Sequence, residues 1–396
     1  MRFRLSALMS AAAYIAVVSF GAPEDAAAED VVKVGLIAPL SGPFAALGDS
    51  IDRGARLYEK IHGKEVPAVQ VIRRDDAGVP DNTRRIAQEL IVRDGVKVLT
   101  GIALSPQGFA LAKIATEAKV PVALMNATTS SLTRSSPYFV RFSYTQWQTA
   151  YPMGVWAAKH GIKVSASLVA DYAAGTDSEA AFKKGFEENG GKVVSAVRAP
   201  MVTTDYLPFM ERLKSEKPEA VFIFVNNGRM PAVAKAFNDA GLREAGVKLI
   251  GPGDNALDDE LPNMPPDVVG FISAATYAAA SKNDGNVDFV KAWKAEYGED
   301  ALPNVTAVSG WDTMSAIYAA VKEVGPHADG AAMLKSLSNW KGTSSPRGDV
   351  SIDPQSRDIV QPIKMNKVEI VNGRPGNVTF EEDPPQKDPW KTFNPE

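Results

Sequence analysis

The chain contains no cysteine. Disulfides are excluded, so stability after export must come from core burial, which 396 residues can supply. No cysteine is available to carry a lipid or to act as nucleophile or metal ligand. Histidine is almost as scarce. His62, His160 and His327 lie far apart, no two have metal-ligand spacing, and each reads as a surface residue near a helix end. There is no GxSxG elbow, no Walker motif and no GxGxxG after a strand. Runs of Lys and Arg are also missing, and the net charge is −4. Phosphate backbones and anionic membranes call for a basic face, so neither is an expected partner. No enzyme activity, cofactor or metal is implied. The acid groups Asp75-Asp76 and Asp258-Asp259-Glu260 read as solvated loop charges, and the sequons at Asn126, Asn304 and Asn377 as chance matches.

The N-terminus has its own pattern. Arg2 and Arg4 precede an apolar, Ala-rich stretch from Leu5 to Phe20, and Ala26-Ala27-Ala28 offers small residues before a cut at Glu29. Residues 1–28 are therefore expected to be a cleavable signal peptide, and the mature protein to be free in a periplasm. No second apolar stretch is long enough to span a membrane, so no insertion of the mature chain is expected.

From Val31 onward, short β-type runs alternate with longer amphipathic ones. Val31–Ala38, Val69–Arg73, Val96–Thr100 and Val120–Met125 read as strands. Phe44–Ile61, Asp81–Arg93 (with Asp81 as N-cap) and Pro106–Ala118 read as the intervening helices. The aromatic, extended Tyr138–Thr145 interrupts the series, and a second one follows. Its strands are Val164–Ala170, Lys192–Val197, Ala220–Val225 and Val247–Ile250, and its helices Ser178–Asn189, Leu207–Ser215 and Met230–Ala240. Such βαβ alternation predicts parallel sheets covered by helices. The expected fold class is α/β, with two doubly wound parallel-sheet lobes. Further on, Val268–Ala279 reads as extended, Val287–Tyr297, Val305–Val324 and Gly330–Leu337 as helices, and Asp349–Ile352 and Ile359–Val371 as strands. Asn372-Gly373 is a hairpin signal that Arg374-Pro375 interrupts. The Pro-rich, charged 381–396 is expected to be a surface tail.

Polar loops at the carboxyl ends of strands are where open α/β sheets bind ligands. In Gly101-Ile-Ala-Leu104-Ser105-Pro106, Ser105 at a helix N-terminus serves either an anion pocket or plain helix capping. Asn126-Ala127-Thr128-Thr129-Ser130-Ser131 offers backbone and hydroxyl donors, or is a generic Ser/Thr loop. The second series supplies Asp171-Tyr172-Ala173-Ala174-Gly175, Asn226-Asn227-Gly228 and Gly251-Pro252-Gly253-Asp254-Asn255. Phe44, Tyr144, Trp147, Tyr172 and Tyr277 are the aromatics within reach of such a cleft, each also a candidate for ordinary packing. Leu47 and Leu104 join the candidate ligand-binding set.

Several segments, in order, resemble the branched-chain amino-acid (Leu/Ile/Val) binding proteins of ABC importers. They are Val34–Pro43 with Gly48, Arg74–Ala77 with Pro80, Gly95–Gly101 with Ser105, Val120–Leu124 with Ala127-Thr128 and Leu132-Thr133, Tyr138–Phe142, and Asp171-Tyr172 with Gly175. The resemblance covers about Val31 to Val371. It implies the type I periplasmic binding fold, with three hinge crossings near 144–146, 273–279 and 352–357. The expected lobes are 31–144 plus 276–353 and 145–275 plus 354–380. It further implies a ligand carboxylate held by Ser105 and Thr128 with help from the Ala127 backbone, and permease subunits as partners of a monomer.

Two positions depart from the family pattern. Ala174 stands where the amino-acid binders usually carry tyrosine, and Gly253 where they carry the acid that pairs with the ligand ammonium, with Asp254 one residue along. A buried unpaired ammonium is costly. The expected ligand is therefore a carboxylic acid without an α-amino group, such as an aromatic acid, with Ala174 and Gly253 making room for a ring. The alternatives are a branched-chain or other amino acid, or a ligand sensor that docks on a receptor.

Overall fold

The computed structural model describes residues 31–64 and 69–395. The expected signal peptide lies outside them. The first sheet is built from β1 (Val32–Ala38), β2 (Val69–Asp75), β3 (Val98–Gly101), β4 (Val122–Leu124) and β5 (Phe139–Arg141). It runs β2-β1-β3-β4-β5 with every pairing parallel; Val34, for example, sits beside Val71 on one side and Val98 on the other. The helices between its strands are α1 (Ala45–His62), α2 (Pro80–Val92) and α3 (Ser105–Ala118). Helix α2 starts one residue before the expected Asp81, with Val79 as N-cap and Pro80 in the first position, where a missing N–H costs least.

The chain then enters α4 (Gln146–Lys159) and a second sheet. Its parallel strands are β6 (Val164–Ala170), β7 (Lys192–Ala199), β8 (Ala220–Phe224), β9 (Lys248–Pro252) and β10 (Ile272–Ala275), ordered β10-β9-β8-β6-β7. They alternate with α5 (Ala173–Glu188), α6 (Leu207–Lys214) and α7 (Met230–Asp239). Phe182 of α5 stacks on Phe222 of β8 with centroids 4.1 Å apart. Helix α5 begins five residues earlier than the sequence pattern suggested, which moves Ala174 and Gly175 from a loop into its first turn.

The remainder returns to the first lobe and back. Helices α8 (Asp284–Tyr297), α9 (Val305–Val324) and α10 (Gly330–Ser338) are followed by strands β11 (Lys341–Ser345) and β12 (Gly348–Ile352). Met314, Ile317 and Val321 of α9 share a core with Val34, Leu36, Val98 and Val140 of the first sheet, and Val350 and Ile352 close it. Gly54 makes that packing possible, since a Cβ there would sit 1.9 Å from the Ala307 carbonyl oxygen of α9. Three crossings link the lobes, over 142–145, 276–283 and 353–358.

One strand and a short helix overturn the expected tail. Strand β13 (Ile359–Val371) joins β10 antiparallel, and β14 (Arg374–Gln386) pairs along it, followed by α11 (Pro389–Phe393). The second sheet is therefore mixed rather than purely parallel. Asn372 and Gly373 both take positive φ, 51° and 82°, the geometry of a two-residue hairpin turn. Pro384 and Pro385 are tolerated because β14 is an edge strand and its register shifts where they stand. Residues 381–395 are thus part of the fold, with Asp388 buried.

Candidate ligand-binding cleft

A cavity of about 310 Å³ opens between the lobes, at the small end of the roughly 300–1,000 Å³ of small-molecule sites. The first lobe contributes Pro43, Phe44, Ala46 and Leu47 at the start of α1, Leu104 before α3, and Asn126 and Thr128 after β4. The second lobe contributes Tyr172 after β6, Phe224 to Arg229 at the end of β8, and Asp254, Leu257 and Glu260 after β9. Tyr144 from the first crossing and Thr306 from α9 complete the wall. The structure thus brings the sequence candidates Phe44, Leu47, Leu104, Thr128, Tyr172, Asn226 and Asp254 around one space.

Ser105 is buried and stands outside that lining. It is also not the N-cap. Leu104 holds that place, and the Gln107 side chain accepts from the Leu104 N–H at 2.9 Å. Freed from capping, Ser105 Oγ accepts from the Thr129 N–H at 3.2 Å and the Thr129 hydroxyl at 2.8 Å. The expected Ala127 contact is corrected too. Ala127 takes φ +57° and gives its N–H to the Ala103 carbonyl at 3.1 Å, so it shapes the loop instead of donating to a ligand.

Thr128 Oγ1 accepts from Gln146 Nε2 at 3.1 Å. The same nitrogen donates to Asp254 Oδ2 at 3.0 Å, and the Tyr144 hydroxyl donates to that oxygen at 3.0 Å. Burial pushes the Asp254 carboxyl above its usual range, with the Gln146 and Tyr144 donors pulling the other way. Tyr172 and Tyr144 are likewise held up, first by burial and then by the Asp254 charge, so both stay protonated.

Three candidates fall elsewhere. Ala174 is buried in the core with Trp147 and Val169 and opens no space in the cleft. Gly253 and Tyr277 line a small adjoining void of about 20 Å³ with Thr276 and Asn377, behind Tyr144 and Asp254. A Cβ at Gly253 would lie 2.4 Å from the Ala275 Cβ, so this glycine serves the close approach of β10. The Tyr277 hydroxyl donates to Asn286 at 2.8 Å. Trp147 points away too, giving its indole N–H to Asp177 at 3.3 Å.

The acid run 258–260 is exposed only at Asp259. Asp258 is buried and accepts from the Ala279 N–H, and desolvation pushes its carboxyl up to about 6. Glu260 faces the cleft and is pushed up to about 7 by burial and then by the Asp259 charge. Gln146, Arg229 and Thr306 carry no local signal in the sequence, and Glu260 reads there only as a solvated loop charge; the meeting of the lobes puts them at the site. Among the described residues no group of acids and histidines is arranged to hold a metal ion.

Comparison with known proteins follows this geometry. A family model described as periplasmic binding protein matches residues 31–374. Leu/Ile/Val-binding protein homolog 6 of Brucella abortus (strain 2308) is 37% identical over 364 residues, covering 91% of this chain and 93% of the relative. A solute-binding protein of an ABC transporter from Rhodopseudomonas palustris BisB5, solved in complex with 3,4-dihydroxybenzoic acid, is 44% identical. It superposes with a TM-score of 0.87 over 92% of this chain and 100% of its own. A second such protein, from Rhodopseudomonas palustris HaA2 in complex with p-hydroxybenzoic acid, is 36% identical, with a TM-score of 0.86 over 90% of this chain and 98% of its own.

Proposed function

The chain belongs to the periplasmic binding protein family, and from that premise we propose that it captures an aromatic carboxylate in the interlobe cleft for an ABC importer. It is a solute-binding protein and not an enzyme. The observation that carries the ligand assignment is the direction of the Thr128 hydroxyl. Thr128 lines the cavity and its Oγ1 already accepts from Gln146, so its hydrogen is left to donate into the cleft. A hydroxyl donor in a cavity that Arg229 also lines suits a carboxylate, the charge-assisted partner that gains most from both.

The rest of the wall suits a ring. Phe44, Leu47, Tyr172 and Phe224 are flat or branched apolar surfaces, and Tyr172 stacks on Phe224 at 6.0 Å. The relatives solved with hydroxylated benzoic acids support the same class of ligand.

Capture is hinge closure. Cavity residues come from both lobes, so a ligand contacts all of them only when the lobes are together, and that differential contact drives the population shift. We assign the moving bodies to residues 31–144 plus 276–353 and 145–275 plus 354–386, a monomer whose closed form docks on the permease, and we place the mature protein in the periplasm.

Isothermal titration of the purified protein with 4-hydroxybenzoate, 3,4-dihydroxybenzoate, benzoate and leucine tests the reading. Tight binding of the benzoates is expected. Tight leucine binding with no response to the benzoates would overturn it in favour of an amino-acid carrier.

A further inference from the structure

A ligand ammonium buried in this cleft would need an anionic partner, because an unpaired buried charge is strongly unfavourable. The acids lining the cavity are Asp254 and Glu260. Asp254 is bound by the same short chain of hydrogen bonds that holds Thr128: one Gln146 nitrogen reaches both, so no more than two hydrogen-bond lengths separate them. It is therefore the acid beside the carboxylate grip, where an α-amine would fall.

Its oxygens are nevertheless closed to a ligand. Oδ2 accepts from the Tyr144 hydroxyl and from Gln146 Nε2, both at 3.0 Å. Oδ1 has no hydrogen-bond partner but is buried, so a ligand amine does not reach it while the lobes hold this arrangement. Tyr144 lies in the first crossing and Gln146 opens α4 directly after it, and both are buried, at 4% and 0% exposure, so neither swings away without disturbing the hinge. The Gln146 amide has one possible sense, since only its nitrogen can face a carboxylate oxygen. Once that nitrogen is placed, its second hydrogen goes to Thr128 and turns the Thr128 hydroxyl into a donor.

We propose that Tyr144 and Gln146 are specificity-determining residues: by occupying Asp254 they shut out a ligand amine, and through Gln146 they arm Thr128 for the carboxylate. One pair of side chains thereby selects acids without an α-amino group over the matching amino acids. The inference rests on the aromatic-carboxylate reading of the cleft. The direction of the Asp254 carboxyl agrees with it, since burial raises it toward the neutral form, which pairs poorly with an ammonium.

The test compares two ligands that differ only by the α-amine, 3-(4-hydroxyphenyl)propionate and L-tyrosine, by titration of the full-length mature protein. The wild type is expected to prefer the propionate. In Tyr144→Phe/Gln146→Ala the ratio of the two affinities is expected to move toward the amino acid by about tenfold or more, the loss of two hydrogen bonds to a charged group. Adding Asp254→Asn to that variant should abolish the gain. A folded double variant that still binds the propionate and shows no change in the ratio overturns the inference. If the double variant does not fold, Tyr144→Phe alone carries the test, with a smaller shift in the same direction expected and no shift overturning it. A wild type that binds neither the propionate nor the benzoates but takes amino acids fails the ligand assignment first, so the two failures are told apart.

Discussion

Arg347 and Asp312 form an ion pair at 2.6 Å in which neither side chain reaches solvent. Arg347 also donates to the Phe142 carbonyl and to Gln361 Oε1, each at 2.8 Å, and Asp312 accepts from the Ser345 hydroxyl at 2.7 Å. Phe142 leads into the first crossing and Gln361 follows the third. The pair therefore ties α9 to two of the three strands of chain on which the lobes turn.

Arg347→Met leaves Asp312 buried without its cation. Removing one partner of a buried pair costs about 3–5 kcal/mol. Chemical denaturation should show a loss of that order, and Asp312→Asn added to the variant should restore part of it. A loss below about 1 kcal/mol, as for an exposed pair, would contradict the role.

Thr128→Val removes one carboxylate donor while keeping the shape of the side chain. Affinity for 4-hydroxybenzoate should fall about 10–100-fold, the range of a hydrogen bond to a charged group. Ser105→Ala should cost stability, because it strands the Thr129 N–H and hydroxyl in a buried place. Titration and thermal melting of the same samples separate the two effects.

Stability should rise as the medium becomes mildly acidic. Glu260 and Asp258 have carboxyls pushed up to about 7 and about 6, burial being the larger cause in each. Asp388 is raised as well, by burial and then by Asp358, with Arg141 opposing and Lys391 also near. An acid with a raised folded pKa holds a proton that the unfolded chain has already released, so stability falls as pH climbs through the folded value and is regained below it, down to the unfolded values near 4. The melting temperature should be higher at about pH 5.5 than at about pH 8, and Glu260→Gln should flatten part of the slope. A melting temperature that rises with pH over this window would refute the assignment.

The C-terminal helix holds the back of the hinge. Arg134 of the first lobe lies 4.6 Å over the Trp390 ring and Lys391 donates to Thr133 at 2.7 Å, while Phe393 meets Tyr151 of the second lobe at 5.3 Å. Trp390→Ala should destabilise the protein by about 1–2 kcal/mol through lost cation–π and apolar contact. A change within about 0.5 kcal/mol in denaturation would mean the helix is only a surface appendage.

The amino-acid pattern by itself determined the two βαβ series and the place of the cleft. Alternation of buried β runs with amphipathic helices dictates parallel sheets, and parallel sheets gather their polar loops at one end. Thr128, Tyr172, Asn226 and Asp254 follow β4, β6, β8 and β9 directly, and that local order is why they could be named from the chain alone. Tertiary structure decided the rest, because it depends on partners far apart in sequence. Gly253 looked like room for a ring and proves to be clearance for Ala275. A Pro-rich end that reads as a tail became an edge strand once β13 offered it a ladder. Above all, Asp254 alone reads as a free acid. Its meaning came only when the crossing laid Tyr144 and Gln146, more than a hundred residues earlier, across one of its oxygens.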